Sequence, residues 1–170
     1  MMWNDTDIPF AYLITFRSYG TWLHGDIRGS VARYSNAYGS PRVGHKSPRK
    51  AFEKALLNRE PVFLNAAMRH SVEFAIRETC KKRDWGMIAM NVKTNHAHSV
   101  ISTGLPNAAS MLNALKANAT RVMRTDGCWT SDETPWVKGG NKRYRWNEES
   151  VRKAVEYVLY AQGDDLPDFV

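Results

Sequence analysis

Apolar residues recur along this chain with two periods, and the changes between them mark out its elements. Tyr12-Leu13-Ile14-Thr15-Phe16 is β-branched and aromatic and predicts a buried strand. Met87 to Val92 and His96 to Ser102 predict two more strands, joined by a turn at Lys93-Thr94-Asn95. Helical spacing replaces alternation between about Ala66 and Asp84, where Val72, Ala75, Ile76 and Cys80 form a stripe. Asn65 is placed to cap that helix, and Lys81, Lys82 and Arg83 suit the negative end of its dipole. A second helix is predicted from about Asn107 to Thr125, with Ala108, Met111, Leu112, Leu115, Ala119, Val122 and Met123 on one side. Pro135-Trp136-Val137-Lys138 reads as a short strand. A last helix runs from Glu148 to Gln162, capped by Asn147 and closed by Gly163, with Val151, Ala154, Val155, Val158 and Leu159 as its stripe.

This order predicts an α+β, ferredoxin-like βαββαβ fold: a four-stranded antiparallel sheet with helices on one face, plus a C-terminal helix. The strand beginning at His96 is then central. Residues 1–170 read as one domain, with no repeat and no linker. From about 25 to 60 the pattern fails, and polar, basic, Gly- and Pro-containing sequence predicts an irregular insertion.

Charge narrows the partner. The chain carries a net charge of +7, an excess suited to phosphate, on nucleic acid or on an anionic membrane. No apolar run approaches the length of a membrane span, and the first residues lack a signal-peptide pattern, so no membrane partner is expected. Cys80 and Cys128 fit neither a metal knuckle nor a disulfide framework, which points to the reducing cytoplasm.

Strand alternation aims His96 and His98 to one face and Ala97 to the other, so two imidazoles can share one metal ion. On spacing alone, a pair of surface histidines is an equal reading. The segment after the first strand, starting at Arg17, mixes aromatics, glycines and His24 without a period and reads as a functional loop or, equally, as packing glycines with a structural Trp22. Lys142-Arg143-Tyr144-Arg145-Trp146 interleaves cations and rings, as a surface for phosphates and unpaired bases does, although Trp146 equally suits a core anchor. Lys116 and Arg121 lie off the apolar side of their helix and are further phosphate candidates. Tyr157 and Tyr160 both lie off the stripe of the last helix.

Asn95-His96-Ala97-His98 followed by an apolar strand, with Tyr157-Val158-Leu159 on a C-terminal helix, resembles the HUH single-tyrosine transposases. The branch that includes the REP-associated tyrosine transposases is the most similar. Ala97 is small for the family's hydrophobic position, and Thr94 stands where many members have proline. The resemblance implies cleavage of single-stranded or hairpin DNA by Tyr157, through a 5′-phosphotyrosine link. It also implies Mg²⁺ or Mn²⁺ on His96 and His98. Related enzymes often add Gln or Asn one turn after the tyrosine. Here that position is Ala161, and Gln162 serves only if the helix end unwinds; His24 or water are the alternatives. The DNA-contact candidates are Arg17, Lys116, Arg121, Lys142, Arg143, Tyr144 and Arg145. The resemblance leaves monomer or homodimer open. A non-catalytic DNA-hairpin binder is the competing function, and a metal-dependent hydrolase without a tyrosine step is a weaker third.

Overall fold

The computed structural model describes residues 8–21, 47–104 and 107–163. His24 and most of the basic insertion lie outside the described residues. Four strands form one antiparallel sheet: β1 (Ala11–Arg17), β2 (Gly86–Val92), β3 (His96–Ser102) and β4 (Asn141–Arg145), in the order β2-β3-β1-β4. The helices are α1 (Ser47–Ala55), α2 (Ala66–Lys82), α3 (Ala108–Thr125) and α4 (Glu148–Tyr160). This is the expected ferredoxin-like topology, with β3 central. Among the described residues no helix is long and apolar enough to cross a membrane.

Alternation along β1 divides the molecule into two packed layers. Tyr12, Ile14 and Phe16 face α2 and α3 and join the main core with Ala97, Ile101, Ile76 and Leu115. Ala11 and Leu13 face the other way and, with Ala89 and Val100, meet Ala154 and Val158 of α4. Three asparagines start the long helices. Asn65, Asn107 and Asn147 accept from the backbone N–H of Met68, Ser110 and Ser150, satisfying donors that a helix start leaves open. Cys80 and Cys128 are free, and burial pushes the Cys80 thiol up to about 11.

Three boundaries differ from expectation. The fourth strand lies at Asn141–Arg145 rather than at Pro135–Lys138. Trp136 makes only an isolated bridge to Ser18 and serves instead as a core anchor, edge-on to Phe16 and donating from Nε1 to Thr120 Oγ1. Gly139 turns the chain at φ +76°, and a side chain on Gly140 would come within 2.7 Å of the Thr15 carbonyl oxygen. The ladder can therefore start only after the two glycines. Residues 47–55, inside the stretch expected to be irregular, form α1, where Pro48 occupies the first turn and good helix formers follow. The last helix ends at Tyr160, two residues before Gln162.

Candidate active site at the end of helix α4

His96 and His98 lie on the α4 face of β3, opposite Arg17 and Thr15 of β1 in register. Their rings meet edge to face, with centroids 4.6 Å apart. Each Nδ1 has its own partner: Asn95 Oδ1 at 2.6 Å for His96, and Thr15 Oγ1 at 2.6 Å for His98. Each Nε2 lies 3.1 Å from the same atom, Gln162 Oε1. His98 is buried (6% exposed), and burial, together with the neighbouring His96 and Arg17, pulls its pKa down to about 3 against the opposing contact from Gln162. It is neutral at physiological pH and keeps a lone pair for a ligand.

Gln162 reaches this point because α4 stops at Tyr160. The backbone N–H of Ala161 donates to the Tyr157 carbonyl, and the chain bends away from the helical path. The rotation per residue of a regular helix thus no longer sets the direction of Gln162. Its Nε2 also donates to the Tyr157 carbonyl, at 3.2 Å. An amide has one donor end and one acceptor end, so this bond turns Oε1 toward the histidines. Tyr157 stands beside them, its ring centroid 5.4 Å from that of His98. It is 43% exposed and open to a substrate; Tyr160, at 79%, projects further into solvent.

The donor set fits a divalent cation. Asn95 Oδ1 can only accept, so a neutral His96 would carry its proton on Nδ1 and present the Nε2 lone pair to Gln162 Oε1, another acceptor. Two acceptors facing each other at 3.1 Å have no proton to share, and a cation resolves the repulsion. Adjacent ligands on an octahedral Mg²⁺, each at about 2.1 Å, lie roughly 3 Å apart, which both contacts to Gln162 Oε1 match. Among the described residues no group of three His, Cys, Asp or Glu could hold a metal, so the amide is what would complete a three-donor set.

The family model described as "Transposase IS200 like" matches residues 55–156, more than half of the chain, including β3 and both histidines. The chain belongs to the IS200-like transposase family. The match ends one residue before Tyr157. A solved structure of a REP-associated tyrosine transposase bound to a REP hairpin is similar at a TM-score of 0.50 and 14% identity, covering 93% of this chain and 70% of that one. At that identity the likeness concerns the fold. No curated protein matches the chain significantly.

This IS200-like transposase distributes its expected DNA contacts unevenly. Arg17, Arg143 and Arg145 share the sheet face of the histidines, through the pairings Arg17↔His96, Leu13↔Arg143 and Ala11↔Arg145. Lys142 and Tyr144 take the opposite face, where Tyr144 sits edge-on to Tyr12 and 5.8 Å from the half-exposed ring of Trp146. Lys116 and Arg121 are engaged within the fold. Lys116 Nζ donates to the carbonyls of Val137 and Gly139, and burial pulls its pKa down. Arg121 pairs with Glu78 at 2.6 Å and bonds Asn118, joining α2 to α3. Thr15 and Asn91 are polar members of the site with no sequence-level role. Each is a polar residue in a mostly apolar strand, a visible irregularity, but only the register puts them beside His98.

Proposed function

We propose that the protein cleaves and rejoins single-stranded DNA through Tyr157, with Mg²⁺ or Mn²⁺ held by His96, His98 and Gln162. The observation that carries this is the convergence of both Nε2 atoms on Gln162 Oε1, with the Tyr157 ring against His98. A divalent ion bound there would neutralise the non-bridging oxygens of a scissile phosphate and hold it in line for attack. Tyr157 Oη would give up its proton to water and form a bond to phosphorus as the bond to the 3′-oxygen breaks, with water returning a proton to that oxygen. The 3′-oxygen leaves as a hydroxyl after taking a proton, and the downstream strand stays linked as a 5′-phosphotyrosine. Attack by a 3′-hydroxyl on that link reverses the step and releases the tyrosine, so rejoining needs no external energy source.

Arg17, Arg143 and Arg145, on the sheet face of the histidines, are the side chains that would contact phosphates of the bound strand. Tyr144 and Trp146, around the edge of β4, offer rings for unpaired bases. The hairpin bound by the structurally similar transposase supports a DNA hairpin as partner.

The test is a hairpin oligonucleotide with a single-stranded flank, incubated with Mn²⁺ and run on a denaturing gel. A covalent protein–DNA band is expected. Its absence on every hairpin that the protein binds would overturn the cleavage reading in favour of binding alone.

A further inference from the structure

Helix α4 holds the sheet through a narrow apolar contact in which Ala154 and Val158 are its buried residues, with Val151 and Val155 partly covered. That contact ends at Val158, while the Tyr157 ring emerges beside it into solvent. The last carbonyls of a helix have no partner further along it and carry its partial negative charge. Near this end two adjacent carbonyls accept from side-chain amides, that of Tyr157 in addition to its bond from the Ala161 N–H. Gln162 Nε2 donates to the Tyr157 carbonyl, and Asn91 Nδ2 donates to the Val158 carbonyl at 2.9 Å. The first ties the turn to its own tail. The second reaches it from β2, where Asn91 stands directly across from His98 in register.

We propose that Asn91 is a positioning residue for Tyr157: its amide fixes the carbonyl of Val158, the residue after the tyrosine, to the strand beside His98 and so sets where the phenol stands relative to the histidines. The proposal rests on Tyr157 as nucleophile. Its physical content is separate. The run Met87 to Val92 is apolar except for Asn91, and an apolar residue there would leave the carbonyl of the buried Val158 without this donor, a cost that opening the end of the helix to water relieves. Asn91 does not touch the substrate; it acts through the backbone of α4.

The variants are Asn91→Ala and Asn91→Asp, the second keeping the shape while replacing the donating N–H by an acceptor. Asn118→Ala is the comparison, because Asn118 makes equivalent amide bonds to Ala75, Glu78 and Thr79 between α2 and α3, far from the site. Three quantities are read: amide hydrogen exchange along α4, hairpin affinity, and the single-turnover rate of covalent adduct. Both Asn91 variants should speed exchange at residues 159–162 while the first turns of α4 stay protected. They should keep hairpin affinity within about twofold and slow adduct formation by about tenfold to a hundredfold, the scale of a misplaced reacting group. Asn118→Ala should lower the unfolding midpoint without changing the adduct rate of the folded protein. Unchanged exchange at the end of α4 in both Asn91 variants would overturn the proposal. So would exchange raised evenly across the molecule, or an adduct rate equal to wild type. If the wild type forms no adduct, the cleavage reading falls, and the exchange pattern still decides whether Asn91 holds the turn.

Discussion

At the scale of single residues, the two tyrosines of α4 are chemically alike and separated by position. Tyr157 lies against His98 and Tyr160 does not share that contact. Tyr157→Phe removes one oxygen; it is expected to leave hairpin and Mn²⁺ binding intact and to abolish the adduct, while Tyr160→Phe retains it. Gel analysis with both variants decides this, and an adduct that survives in Tyr157→Phe would move the nucleophile. His98 makes a second prediction. Its pKa is about 3 when folded and near 6.5 when unfolded, so between these values the unfolded chain takes up a proton that the folded one refuses. Stability is unaffected by this group above pH 6.5 and falls as the pH drops toward 3. At pH 5 the loss is about 2 kcal/mol relative to pH 8. Urea unfolding at the two pH values, for wild type and for His98→Asn, should show a smaller acid loss in the variant.

At the scale of elements, β4 is held in place from two sides. Gly140 lets it approach β1, and the Lys116 ammonium clamps the preceding loop through two carbonyls. A methyl group on Gly140 would meet the Thr15 carbonyl oxygen at 2.7 Å and Leu112 at 2.9 Å. Leu112 has rotamers to spare, but a sheet carbonyl does not. Gly140→Ala should therefore cost about 1–3 kcal/mol, the usual range for overpacking. Because Thr15 also carries the bond to His98, the same change should weaken Mn²⁺ binding. Calorimetric titration against wild type checks the second point, and unchanged affinity would mean that β1 absorbs the strain without moving Thr15.

At the scale of the whole molecule, the charge of +7 favours attraction to a polyanion such as DNA without saying where the strand runs. The sheet separates cations that look equivalent in the chain. Arg143 faces the histidine side; Arg121 is paired with Glu78 across α2 and α3. Affinity for single-stranded DNA should fall with salt by about 0.7 logarithmic units per phosphate contact. Arg143→Ala should reduce that slope by roughly one contact, whereas Arg121→Ala should leave it unchanged and lower the unfolding midpoint. Anisotropy titrations across a salt series measure the slopes, and a reduced slope in Arg121→Ala would extend the DNA path onto α3.

Periodicity was enough to place α2, α3, the β2–β3 hairpin and most of α4, because burial of one side against the sheet imposes a period of 3.6 on helices, and alternation between faces a period of 2 on strands. It also put His96 and His98 on one face, since alternation within a strand is local. Asparagine caps were legible for the same reason: the bond spans three residues. The strand at 141–145 was obscured because its lysine and arginines resemble a solvated loop, while Trp136, with strand-like neighbours, fills a gap between α3 and β1. The partners of the histidines lay beyond any local rule. Thr15 is 83 residues from His98, and Gln162 is 64. Which pairs meet depends on strand order and register, and those follow from the packing of the whole chain. Gln162 shows the limit most directly. Helical geometry turned it away from the tyrosine's side, and only the place where α4 stops, set by its contacts with the sheet, brings its oxygen to both imidazoles.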